Sequence, residues 1–231
     1  MKVAILCGGK GTRFQGGEGI PKPMARIGGL PILEHIMKIY SYHGYDDFIL
    51  LLGYKERVIT DYFSEVHPDW NIDFKFTGLD SNTAERVFKA KTLLNERFFL
   101  TYGDGLADIN LEKEIEFHEK HKGIGTITVT PMPSQYGIVV SSRKGRIQDF
   151  QEKPILKDRW INGGFFIFEP DFFDYARAKD LERDVLPKMA EKGVLYAFKH
   201  TGFWKCMDQH KDYTELNNLW KKNKANWAMW K

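Results

Sequence analysis

Apolar and polar residues fall along this chain in blocks that switch between two periods. The opening "KVAIL" is a short continuous apolar run ended by glycines, the pattern of a buried strand. "LPILEHIMKIYSYHG" then sets Ile32, Leu33, Ile36, Met37 and Tyr40 at helical spacing, with a glycine to stop it. "DFILLLG" reads as a second buried strand, "KERVITDYFSEV" as an amphipathic helix, "IDFKF" as an alternating strand and "TAERVFKAKTLL" as a third helix. "RFFLTYGDG" is a strand ending in an acidic turn, followed by the helical "LEKEIEFHEKH". Strands and helices in turn at this spacing predict an α/β fold, with a mainly parallel sheet flanked by helices on both faces.

The second half changes style. "GTITVTPM", "YGIVVS", "GRIQDFQEK" and "INGGFFIFE" are closely spaced strand signals separated by Gly, Ser and Pro, which predicts a small antiparallel portion. "LERDVLPKMAEKG" supplies a helix, "LYAFKH" a strand and "HKDYTELNNLWKKNK" a last helix. No repeat, low-complexity tract or linker interrupts the pattern. The expectation is one domain over 1–231, with halves at 1–110 and 111–231, the second carrying the C-terminal helix.

Composition narrows the class. A chain of 231 residues with 42% hydrophobic and 28% charged residues is ordinary for a soluble globular protein. No apolar run approaches the roughly 18 residues of a membrane span, and "VAILC" is too short for a signal-peptide core. Two cysteines, Cys7 and Cys206, make no disulfide framework and suggest a reducing, cytoplasmic setting. Cys7 sits in a buried-strand pattern, as a small core residue would. A formal charge of +3 argues for neither nucleic acid nor membrane as a partner. The tail "WKKNKANWAMWK" has the look of a surface anchor, but the plainer reading packs its tryptophans on the domain or on a neighbouring subunit.

The candidate chemistry begins in "CGGKGTRFQGGEG", a loop leaving the carboxyl end of the first strand, where ligands of open parallel sheets bind. Gly8, Gly9 and Gly11 let backbone N–H groups approach an anion, and Arg13 adds a guanidinium suited to phosphate. The spacing matches neither the dinucleotide fingerprint nor a Walker motif, and flexible hairpins are also glycine-rich. Lys22 strengthens the phosphate reading, because the prolines of "PKP" restrict the backbone on either side of it. A surface lysine in an extended linker is the competing reading.

Together these residues resemble the sugar-phosphate nucleotidyltransferases, whose signature is a GG-x-GTR loop followed by KP. "YGDG", "FQEKP", "INGGFF" and "GFWKCMD", in that order, are similar to the glucose-1-phosphate cytidylyltransferase branch, and the likeness spans nearly the whole chain. The resemblance implies a Rossmann-like fold of nucleotide-diphospho-sugar transferase type. One departure stands out. The branch carries a longer segment and then a TGGR motif where this chain has only "FTGLDSNTAERV", with Thr83 and Arg86 kept and Ala84 and Glu85 in place of the glycines.

Read through that resemblance, Cys7, Gly8, Gly9, Gly11, Thr12, Arg13, Lys22, Thr83, Arg86 and Asp104 are expected to bind nucleotide, with 1–110 as the nucleotide-binding half. Tyr136, Gly137, Glu152, Lys153, Asn162 and Gly163 are expected to bind the acceptor, in the half from 111 to 231. Asp104 and Asp208 are expected to hold Mg²⁺, a hard cation suited to carboxylates and phosphate oxygens. By type alone, Asp104 also fits a common Asp-Gly turn, Asp208 a helix N-cap, Glu152 and Lys153 an exposed turn, and Arg86 a solvated helix face.

The implied reaction is attack by an acceptor phosphate oxygen on the α-phosphorus of CTP, with loss of pyrophosphate. Arg13, Lys22 and Lys153 are the expected catalytic residues, acting by positioning and charge neutralisation. Arg86 is aimed at cytosine O2 and N3 in this reading. The acceptor is a sugar 1-phosphate such as glucose 1-phosphate, or a non-sugar phosphate used in capsule building. A glycosyltransferase and a non-catalytic nucleotide sensor are the readings from other classes. A homo-oligomer is expected.

Overall fold

The computed structural model describes residues 1–11, 20–177 and 179–231. The strands are β1 (Val3–Leu6), β2 (Arg26–Ile27), β3 (Leu30–Pro31), β4 (Asp47–Leu52), β5 (Asn71–Phe76), β6 (Phe98–Tyr102), β7 (Gly105–Ala107), β8 (Gly125–Pro133), β9 (Ile138–Ser141), β10 (Ile147–Gln151), β11 (Ile155–Phe168), β12 (Leu195–Lys199) and β13 (Trp204–Cys206). The helices are α1 (Ile32–Tyr42), α2 (Glu56–Glu65), α3 (Thr83–Phe88), α4 (Leu111–His121), α5 (Phe173–Ala176), α6 (Leu186–Glu191) and α7 (His210–Lys221).

A seven-stranded sheet runs β12-β8-β11-β6-β1-β4-β5. β1 lies parallel to both β4 and β6, β5 parallel to β4, and β12 parallel to β8. Among the described residues, only β11 runs antiparallel within it, against β6 and β8. β1 is a continuous apolar run because both its faces are covered. Along β1, Val3 and Ile5 enter a core with Leu33, Ile36 and Trp227, while Ala4 enters the opposite core with Val87, Phe172 and Leu181. The α/β architecture expected from the alternating blocks is the one observed.

Three local expectations differ from the structure. The helix read over "TAERVFKAKTLL" ends at Phe88, and a 3-10 turn, Lys91–Leu93, follows. There the Ala90 N–H bonds to the Val87 carbonyl, tightening the last turn. "LERDVLPKMAEKG" splits into one π-helical turn, Leu181–Val185, and α6. Pro187 has no N–H to continue the first ladder, so the register changes ahead of it. β11 begins at Ile155, well before "INGGFF", with register shifts between Leu156 and Trp160 and between Asn162 and Phe166.

The tail packs on its own chain. Trp227 is fully buried, and its indole N–H donates to His35 Nδ1 at 3.2 Å. Lys231 lies over the Trp220 ring at 3.2 Å.

Candidate active site

β1 and β6 lie side by side, while β4 and β5 extend from the other edge of β1. The chain order therefore reverses beside β1, and a crevice opens beyond the carboxyl ends of the strands there. A cavity of about 360 Å³ occupies that position. Cys7, Gly8, Gly9 and Gly11 line it from the loop after β1, Thr83 and Arg86 from α3, and Asp104 from the turn after β6. Lys22 reaches it from a 3-10 turn, Lys22–Met24, that Pro21 enters in extended conformation. Thr12 and Arg13 lie outside the described residues.

Gly8 is required by sterics. A Cβ there would stand 2.5 Å from an Arg86 nitrogen and 2.8 Å from the Gly53 amide. Its carbonyl also accepts the Tyr54 N–H at 3.0 Å. Cys7 is both a core residue, 1% exposed, and part of the cavity wall. Burial pushes its thiol up to about 12, against a smaller opposing pull from Arg86, so it stays protonated and unreactive.

The two aspartates meet through a short ribbon. β13 pairs antiparallel with β7, Cys206 opposite Gly105, and the Met207 N–H donates to the Asp104 carbonyl at 2.9 Å. Residues just before β7 and just after β13 are thereby brought together. Lys22 Nζ sits between them, 2.7 Å from Asp104 Oδ2 and 2.8 Å from Asp208 Oδ1. Burial pulls the Lys22 ammonium down, but Asp104 and the bonds to both carboxylates outweigh it, so its pKa lies above the ordinary value. Gln209, not Asp208, is the N-cap of α7.

Ligand atoms of Asp104, Asp208 and Cys206 all lie within 4.8 Å of one another. Burial, and then the two carboxylates, push the Cys206 thiol far up, so it stays uncharged. That leaves an oxygen pair already holding one cationic group, a donor set that fits a hard divalent cation.

Arg86 is not on a solvated face. It is 5% exposed, and its NH1 donates to Thr77 Oγ1 and the Gly78 carbonyl, both at 2.7 Å. NH2 reaches the Leu79 carbonyl at 3.3 Å. Much of the fork is thus spent on the loop 77–79.

None of the expected acceptor residues lines the cavity, although Asn162 touches its wall at Tyr102. Asn162 donates to the Tyr102 hydroxyl at 3.2 Å and accepts the Gly164 N–H at 2.8 Å. The Gly163 carbonyl accepts the Trp204 indole N–H at 2.7 Å. Gly164 has φ +80, and a Cβ there would strike the Tyr102 ring at 2.6 Å. Tyr136, Gly137, Glu152 and Lys153 lie beside β9 and β10 and do not line the cavity. Lys153 pairs with Glu152 at 3.4 Å on an exposed surface.

Sequence reasoning missed Tyr102, Asp180 and Glu182. Tyr102 and Asp180 line the cavity, and Glu182 accepts hydrogen bonds from the hydroxyls of both Tyr102 and Thr83. Tyr102 opens the recognised "YGDG", in which only Asp104 was given a role. Nothing in the helix-like "LERDV" marks Glu182.

Among the described residues, no helix is long and apolar enough to cross a membrane. The chain is 41% identical over 257 aligned positions to the "Probable glucose-1-phosphate cytidylyltransferase" of Bacillus subtilis, and 40% identical over the same length to the glucose-1-phosphate cytidylyltransferase of Salmonella typhimurium, with all of both chains covered in each case. The alignments exceed the chain's 231 residues, so the relatives carry positions that it lacks. Among solved structures, HddC from Yersinia pseudotuberculosis complexed with GMP-PN matches at 26% identity and TM-score 0.74, covering 95% of this chain and 99% of that one. The nucleotidyl transferase model matches residues 2–223, and the chain belongs to that family of enzymes.

Proposed function

We propose that this enzyme transfers CMP from CTP to glucose 1-phosphate, releasing pyrophosphate and forming a CDP-linked sugar. The observation that carries the reading is Lys22 held between Asp104 and Asp208 at the rim of a glycine-walled cavity, in a chain similar over its full length to glucose-1-phosphate cytidylyltransferases. A phosphomonoester is already nucleophilic at neutral pH, so the step needs no general base. Positioning and charge neutralisation carry the catalysis.

In this reading 1–110 forms the nucleotide half and 111–231 the acceptor half of one domain. N–H groups of the loop from Gly8 to Gly11, with Thr12 and Arg13, hold the leaving pyrophosphate. Lys22 turns from the carboxylates to the α-phosphate as the triphosphate enters. Asp104 and Asp208 would hold Mg²⁺, which would supply charge neutralisation for the reacting phosphates. Asn162 has one amide hydrogen left for an acceptor hydroxyl, and Gly163 admits the sugar close to backbone. Tyr136, Gly137, Glu152 and Lys153 close on the sugar phosphate, with Lys153 aiming the nucleophile. The reaction takes place in the cytoplasm, in a homo-oligomer.

The test is pyrophosphate release with Mg²⁺, each of the four nucleoside triphosphates and a panel of phosphorylated sugars and small metabolites. Release with CTP and glucose 1-phosphate is expected. Release with CTP and only another phosphate would keep the mechanism and change the acceptor. No release with any pair, alongside tight CTP binding, would favour a sensor.

A further inference from the structure

We propose that Glu182 is a specificity-determining residue that makes the Thr83 hydroxyl an obligate hydrogen-bond acceptor toward the base, favouring cytosine over uracil. The inference rests on the reading that the cavity takes CTP, and it follows from where each proton can go. Glu182 is positioned by Asp180, whose Oδ1 accepts the Glu182 N–H at 3.1 Å and the Arg183 N–H at 2.8 Å. One Glu182 oxygen accepts from the Tyr102 hydroxyl, and the other accepts from Thr83 Oγ1 at 2.9 Å.

A hydroxyl has one proton and two lone pairs. Thr83 gives its proton to Glu182 and takes the Leu181 N–H at 2.8 Å, so a single lone pair remains. Thr83 lines the cavity, and so does Asp180, whose side chain is another acceptor. Neither of these two groups has a proton to offer. Cytosine presents an amino group at C4, which such a rim accepts from. Uracil presents a carbonyl there, which would face lone pairs and leave these acceptors unmatched. Arg86 is poorly placed to make this choice alone, since its NH1 is spent on Thr77 and Gly78.

The proposal has a polarity test. In Glu182→Gln the Tyr102 hydroxyl, which already takes the Asn162 amide, keeps its own proton accepted only where the new amide oxygen faces it. The new amide therefore turns its oxygen to Tyr102 and its NH₂ to Thr83. The Thr83 proton is then driven into the cavity, where uracil can accept it. Calorimetry would measure CTP and UTP binding to the wild-type chain, Glu182→Gln, Thr83→Val and the double variant, with kcat/KM for each nucleotide from pyrophosphate release. A fall of about tenfold or more in the CTP-over-UTP ratio is expected for Glu182→Gln, with UTP itself held as well or better. Thr83→Val should also lower the ratio, and Glu182→Gln should then change it no further.

An equal loss for both nucleotides would make Glu182 a brace and overturn the proposal. So would an unchanged ratio in Glu182→Gln, or a wild-type chain that binds CTP and UTP alike. Wild-type preference for CTP without turnover on any acceptor would instead count against the proposed reaction, leaving the binding ratios to decide the role of Glu182.

Discussion

Lys22 and Asp208, 186 positions apart in sequence, meet at 2.8 Å. The same ammonium is 2.7 Å from Asp104, so one cation joins the loop region after β1, the end of β6 and the entry to α7. A group held this way is pre-positioned for an anion that arrives with its own countercharge.

Lys22→Ala should lower kcat by about 100-fold or more, the scale seen when a positioned charge at the reacting centre is lost. Circular dichroism should show the fold retained. A near-normal rate of pyrophosphate release would remove Lys22 from the chemistry.

Asp208→Asn should raise the Mg²⁺ concentration needed for half-maximal rate by about tenfold or more, and lower the rate with it. Metal titration in the presence of CTP is the measurement. An unshifted titration would show that Asp208 serves Lys22 alone.

Arg86→Ala should destabilise the chain by about 1–3 kcal/mol, because the carbonyl of Gly78 and the hydroxyl of Thr77 would lose a buried charged donor. Urea midpoints would read this. A solvated arginine would cost within about 0.5 kcal/mol.

Glu114 and His35 predict opposing pH effects. Burial pushes Glu114 up to about 7, against a smaller pull from its bond to Thr128, and burial pushes His35 down to about 4. For Glu114 the folded state keeps a proton that the unfolded chain releases, so its contribution is full below about 4.5 and is lost as pH rises toward 7. For His35 the folded state refuses a proton, so stability is full above about 6.5 and is lost as pH falls toward 4. Glu114→Gln should remove the first and unmask the second. Between pH 5 and 6 the stability difference between wild type and variant should change by about 1.4 kcal/mol per pH unit. Parallel urea-midpoint curves would contradict the shift at Glu114.

Trp227→Ala should cost about 3–5 kcal/mol, since the ring is fully buried against the His35 side of the core. Gel filtration at the same time would separate this intrachain packing from any effect on assembly.

The sequence by itself determined the layers and most of the candidate site. β1, and β4 after Asp47, are apolar because both their faces are covered, and that leaves a legible run. Gly8 was legible as part of a glycine-rich loop leaving β1, while the steric reason for it, the approach of Arg86 and Gly53, came with the fold. Short-range chemistry of this kind is written in residue type and spacing. What the tertiary structure alone decided depends on contacts between distant segments. The β7–β13 ribbon brings Asp104 to Asp208, and no local pattern encodes an antiparallel pairing across a hundred residues. Arg86 left the solvated face because the loop 77–79 folds over it and offers carbonyls. Glu182 emerged only when Pro187 broke the helix ladder into a π turn and Tyr102 and Thr83 came within reach from other elements. A carboxylate in a helix-like run has no sequence signature of its partners, because hydrogen-bond direction is fixed only after the fold has chosen which donors surround it.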